Sequence, residues 1–289
     1  MTTAASTARA TGLTRDQLVA MHPYVIDIPD GKLAEGPSSL PTSVSDFKTT
    51  KADVDAIFEN YLPSYIAGRD APVPVVVWAH GGLVGKETGL GIAHLQVEWW
   101  KKNGAFPVQL VWETGFAASL WDAVKDRLPG QTRGLVDDAK DKAIEVIVRG
   151  VPASIPTWGA MKRNAALASE KGEGGAWYFA TKLGEFIKAN PGAITVHAVG
   201  HSAGAIFHSY LVPEMLAAGV RTISSLSLLA PAVRVREFKH RLMKKAVLDK
   251  IEKLTLFTMS EAYEKKDTCL GIYGKSLLYL IRASLEQEQ

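Results

Sequence analysis

The sequence predicts an α/β fold, a mostly parallel sheet in three layers with helices on both faces, and three observations carry that expectation. Short, continuous apolar runs rich in β-branched residues recur at 73–79, 106–112, 193–199, 223–230 and 254–260, the pattern of strands buried on both faces. Segments with apolar residues at helical spacing separate most of them, and such alternation marks a parallel sheet covered on both sides. A chain of 289 residues, 47% hydrophobic and 22% charged, can bury one large core without a second module. A single domain over residues 1–289 is expected.

Each element follows from local chemistry. Residues 1–17 show no apolar pattern and are expected to be disordered. Tyr24 to Gly31 suggests an early edge strand and turn, followed by a polar linker rich in Pro and Ser. Thr50 with Asp53 three residues on approximates a capping box, and Val54, Ile57, Phe58, Tyr61 and Leu62 then fall on one helical face. A strand at 73–79 follows, then helical spacing from Gly89 to Lys102 and a strand at 106–112. Residues 113–174 form an insertion far longer than a usual connection. Leu120, Trp121, Val124 and Leu128, then Ala139, Ala143, Ile144, Val146, Ile147 and Val148, have helical spacing within it. The stretch reads either as a helical cap or as a surface decoration or oligomer contact, with Lys171 to Gly175 as its exit. A helix from Ala176 to Ala189 leads into the strand at 193–199. Beyond it come a helix from Ala205, the strand 223–230, a helix from Arg234 to Lys250, the strand 254–260 and a helix over 277–285.

The chemistry concentrates in two glycine motifs. Gly200-His201-Ser202-Ala203-Gly204 stands between a buried strand and an apolar helix. Glycines at both ends let the backbone turn sharply from strand to helix, which leaves Ser202 exposed above the sheet as a nucleophile. The strand at 73–79 ends in His80-Gly81-Gly82-Leu83. Acyl transfer passes through a tetrahedral oxyanion that needs backbone N–H donors aimed at it. Gly82, Leu83 and Ala203 are the expected donors. Gly85-Lys86 does not make a phosphate loop, because position 80 is His rather than Gly and position 87 is Glu rather than Ser or Thr.

A His-Gly-Gly turn after one strand, followed by Gly-His-Ser-Ala-Gly between strand and helix, resembles the α/β-hydrolase superfamily of esterases and lipases over roughly residues 72–280. The resemblance implies a helical cap over the serine across 113–174, which would give the substrate pocket an apolar lining. It implies Ser202 as nucleophile, an oxyanion turn at Gly82 and Leu83, and an acid after the strand at 254–260. Asp267 is the favoured acid and Glu261, directly after the strand, is the alternative. The family places its histidine last, but the seven histidines, at 22, 80, 94, 197, 201, 208 and 240, all precede Asp267. His80, His197, His201 and His208 read as structural residues. His240 is the one candidate base downstream of the serine helix, and a weak one. Either the base lies in a further strand and loop beyond Gln289, which the character of the last helix favours, or it has been lost or relocated. The expected fold therefore has the serine turn, an incomplete triad and an open sheet edge.

Two functions follow. The first is a serine hydrolase of carboxylic esters acting through an acyl-enzyme on Ser202, with acyl transfer to another acceptor as a variant. The second is a catalytically incomplete hydrolase-like protein that uses the pocket to bind an apolar ligand or partner. A small-molecule ester or lipid-like substrate is expected, with no cofactor and no metal, since no cluster has ligand spacing. The formal charge of +3 and the absence of long like-charge runs argue against a nucleic-acid surface. One cysteine, Cys269, excludes an intrachain disulfide. With no apolar leader and no uninterrupted apolar span, the expected location is cytoplasmic. The oligomeric state is left open.

Overall fold

The computed structural model describes residues 12–82, 84–112, 137–150, 158–269 and 272–286. Within these, six strands form one parallel sheet in the order β1-β3-β2-β4-β5-β6. The chain begins with α1 (Arg15–Met21), held by a capping box between Thr14 and Gln17. Order therefore starts before residue 17, against the expected disordered stretch, because Leu18 and Met21 have a core to enter. Edge strand β1 (Val25–Ile28) follows.

The Thr50–Asp53 capping box opens α2 (Lys51–Ala56) as expected. A π-helical turn, Ile57–Tyr61, then joins it to α3 (Leu62–Ile66). Val54, Ile57, Phe58 and Leu62 are buried, but Tyr61 is 39% exposed. A π turn accommodates one extra residue, which rotates Tyr61 off the buried face. Strand β2 (Val73–Ala79), helix α4 (Lys86–Lys102) and strand β3 (Phe106–Trp112) come next.

Helices α5 (Asp137–Arg149) and α6 (Trp158–Ala168) lie within the insertion. Trp158, Met161, Ala165 and Ala168 of α6 are buried in the main core, so this helix belongs to the body of the domain. The remainder of the expected cap, at 113–136 and 151–157, lies outside the described residues, as do residues 1–11. Helix α7 (Gly175–Ala189) leads to β4 (Ile194–His201), α8 (Gly204–Ala217) and β5 (Ser225–Leu229). The single helix expected over 234–250 is two short ones, α9 (Val235–Arg241) and α10 (Lys245–Leu248). Strand β6 (Leu254–Phe257) is shorter than expected, and α11 (Glu261–Glu264) and α12 (Leu277–Ser284) complete the order.

Side chains alternate between two cores, as the pleat requires. Leu110 and Trp112 of β3 enter the main core, while Val111 packs with Leu90 and Ala93 of α4 and Leu18 and Met21 of α1. Both faces of the sheet are thus covered, and the fold is α/β. Among the described residues β6 pairs only with β5, and Leu256 and Phe257 are 48% and 55% exposed. The expected open edge is present in these residues.

Candidate serine site

Ser202 sits at the carboxyl end of β4, which lies inside the sheet between β2 and β5. Its φ of +51° is in the left-handed region, a conformation that costs energy in a residue with a side chain. The surroundings impose it. The Ser202 N–H donates to the Leu229 carbonyl (2.8 Å), while its own carbonyl accepts from the N–H groups of Ala205 and Ala232 (3.0 Å each). A Cβ on Gly200 would stand 2.7 Å from the Gly204 carbonyl group, and one on Gly204 would collide with the carbonyl of Ala79. Strand end, serine turn and helix start are pressed together so closely that only glycine fits at either flank.

The turn after β2 lies against this serine. A Cβ on Gly81 would be 3.3 Å from Ser202 Cβ, and one on Gly82 would be 3.1 Å from Ala203 Cβ. Among the described residues, no backbone carbonyl takes the N–H of Gly82 or of Ala203. Leu83 lies outside the described residues. Helix α6 covers the turn, with Met161 Sδ 2.7 Å and Trp158 Cζ3 3.5 Å from the position a Gly82 Cβ would occupy.

His80 anchors the turn from beneath. Its Nδ1–H donates to the Gly81 carbonyl (2.9 Å), and its Nε2 accepts from the Trp112 N–H (3.2 Å). The Trp112 indole N–H donates in turn to the His80 carbonyl (3.2 Å). That pattern needs a neutral ring, and desolvation pushes the His80 pKa down to about 4. Lys86, at the start of α4, pairs with the buried Asp27 of β1 at 2.8 Å and also donates to the Phe47 carbonyl. These contacts pin the downstream end of the same turn. Asp27 and Lys86 went unrecognised as positioning residues in the sequence, because their pairing is set by sheet order rather than by spacing.

The other histidines are engaged elsewhere or stand apart. His208 is fully buried, its Nε2–H donating to the Val199 carbonyl (3.0 Å), and desolvation lowers its pKa to about 4. His197 bonds Thr195 and Ser225, and burial lowers its pKa as well. His22 approaches Lys48 and Asp53, and His94 bonds Gln17. His201 is exposed overall, yet enough of its ring lies against Gly81 for desolvation to lower its pKa. His240 is exposed on α9.

Neither expected acid is joined to a histidine among the described residues. Asp267 is exposed and accepts from the Thr268 N–H (2.8 Å). Glu261 is exposed and pairs with Lys265 at 2.5 Å, which holds its carboxyl below the ordinary range. The structure thus brings Ser202, Ala203 and Gly82 together, and leaves Asp267, Glu261 and His240 on other segments. Cys269 is buried, and desolvation pushes its thiol up to about 11.

Compared with known protein families, with curated proteins and with solved structures, the chain finds no match. Among the described residues, no helix is long and apolar enough to cross a membrane and no group of three or more His, Cys, Asp or Glu side chains could hold a metal ion.

Proposed function

We propose that the protein is a serine-dependent hydrolase of carboxylic esters, of α/β-hydrolase character, that acts through an acyl-enzyme on Ser202. The observation that carries this reading is the left-handed serine between β4 and α8, with the Gly82 and Ala203 amides beside it. Strain is retained where surrounding structure over-determines it, and such places are often functional. Ser202 Oγ would attack the ester carbonyl carbon and lose its proton to a base. The tetrahedral oxyanion would be met by the two amides, with Leu83 as a further donor. Collapse would expel the alcohol, and water would then release the acid from the acyl-serine. A small or lipid-like ester in the cytoplasm is the substrate class, and α6, which covers the Gly81–Gly82 turn, would bound its pocket.

A second reading is favoured by one specific observation: the expected acids are exposed and unpaired with imidazole, so the triad is incomplete among the described residues. On that reading the pocket binds an apolar ligand or partner and the serine is inert. A fluorophosphonate probe separates the two. Stoichiometric labelling that disappears in Ser202→Ala supports the hydrolase, and an unlabelled, folded protein leaves the binding reading in its place.

A further inference from the structure

A cavity of about 380 Å³ lies along α8 beyond the serine, bounded by α6, α9 and the loop that follows β5. Its lining includes Ile206 and Tyr210 together with five cations, Lys162, Arg163, Arg234, Arg236 and Arg241, and two carboxylates, Glu237 and Glu286. Glu237 is already paired with Arg241 at 3.3 Å and Arg236 at 3.8 Å. Glu286 fills the centre of the remaining charge. Its Oε1 accepts from the Trp158 indole N–H (2.6 Å) and from Lys162 Nζ (3.0 Å), and its Oε2 accepts from Lys162 Nζ (2.9 Å) and pairs with Arg234 Nε. The carboxylate side chain is only 12% exposed.

The donors and the serine share supports. Trp158 is the residue whose ring overlies Gly82, and Arg234 follows two residues after Ala232, whose N–H is bonded to the Ser202 carbonyl. Trp158 is 2% exposed, so its indole N–H is held in place by the core rather than by its acceptor. A fixed indole donor and two cations converging on both oxygens of one carboxylate form a built anion site, since charge-assisted hydrogen bonds of this kind are directional and strong.

We propose that Trp158, Lys162 and Arg234 form a carboxylate subsite adjoining the serine turn, occupied at rest by the chain's own Glu286, and that the substrate is an ester whose acyl chain ends in a carboxylate. The substrate class rests on the reading of Ser202 as nucleophile. The subsite itself does not. The apolar side chain of Ile206 would accompany the methylene chain, while the incoming carboxylate displaces Glu286 and takes over its three partners. Glu286 then acts as a competitor that excludes neutral or short esters from the cationic end.

Titration calorimetry with adipate and hydrolysis of p-nitrophenyl esters test this on the full chain. Glu286→Ala is expected to bind adipate at least about tenfold more tightly than the parent, as hydrogen bonds to charged groups of about 1.5–3 kcal/mol imply. The kcat/KM ratio of the adipate hemiester to the butyrate ester should rise by a similar factor. Lys162→Met added to Glu286→Ala should erase both gains. Adipate binding unchanged in both Glu286→Ala and the milder Glu286→Gln would overturn the subsite and reduce the contact to a bridge that docks the segment after α12. Tighter adipate binding without any ester cleavage or fluorophosphonate labelling supports the subsite and removes the nucleophile.

Discussion

The turn around Ser202 and the segment from Ser260 to Thr268 occupy opposite ends of the range of constraint in this molecule. In the first, backbone presses on backbone: Gly200 and Gly204 have no room for a Cβ, Ala203 is fully buried, and Ser202 is bonded through both its N–H and its carbonyl. In the second, Glu261, Tyr263, Lys265, Lys266, Asp267 and Thr268 face solvent, and the ion pair from Glu261 to Lys265 is one helical turn long. A nucleophile can be recognised from the constraint around it. An acid and a base are recognised by what they meet, and in the second region the expected acid meets neither imidazole nor serine.

Acidification should separate the two regions most strongly. His80 and His208 lie under the serine turn and helix, both with a folded pKa near 4 set by desolvation, against about 6.5 in an unfolded chain. The unfolded chain therefore binds protons that the folded one refuses, so stability is complete above about pH 6.5 and falls as the pH drops toward 4. Between about pH 7.5 and pH 5 each histidine should remove about 2 kcal/mol, about 4 kcal/mol together. Urea midpoints across this range measure the loss, and hydrogen exchange locates it. Equal loss of protection at 260–268, which contains no histidine, would contradict the assignment.

Gly204→Val tests the steric half of the comparison. A branched side chain there must displace the Ala79 carbonyl, and overpacking of this kind costs about 3 kcal/mol. A lowered urea midpoint, with less soluble protein, is the expected outcome. Thr268→Val in the exposed segment should change stability by no more than about 0.5 kcal/mol. A Gly204→Val protein as stable as its parent would mean that the turn is not held by contact with β2.

His80→Ala asks how much of that constraint passes through one ring. The Trp112 N–H would lose its acceptor in a buried site, and a stranded donor costs about 1–3 kcal/mol. The variant should also lose a large part of the acid sensitivity, because one of the two most strongly depressed imidazoles is gone. Fluorophosphonate labelling should slow as the Gly81–Gly82 turn loses its anchor. An unchanged labelling rate together with an unchanged pH profile would assign His80 no role in the turn.

Sequence reasoning succeeded where a local pattern and the tertiary demand coincide. β2 and β3 end where their apolar runs end, and the Gly-x-Ser-x-Gly spacing foretells the pinch between β4, α8 and β2 because only small residues permit it. It failed where a partner is remote. Glu286 meets Lys162 and Trp158 across 124 and 128 residues, and no window of sequence contains that contact. Tyr61 turned outward because a π turn changes the helical phase, which periodicity at 3.6 residues does not anticipate. The helix expected over 234–250 divides because the backbone at Lys244 is extended (φ −61°, ψ 133°), so that residue caps a second helix instead of continuing the first. The offset of Asp267 from a strand points to it as the acid, but an offset says nothing of which side chain the loop will face.

Asp267→Asn is accordingly the smallest expected effect and the one that bears most directly on the comparison. The side chain is exposed, and among the described residues it accepts from the N–H of the next residue, an interaction an asparagine carbonyl can also accept. Stability should stay within about 0.5 kcal/mol of the parent, and the rate of serine labelling should not change. A positioning carboxylate in a serine triad typically matters by about 10⁴ in turnover when replaced by its amide. A fall in labelling or ester turnover of more than about tenfold at unaltered stability would therefore show that the 260–268 segment reaches the serine during the reaction. The two regions would then belong to one catalytic unit, with Asp267 restored as its acid and the search for the base directed to histidines that the same movement could bring alongside.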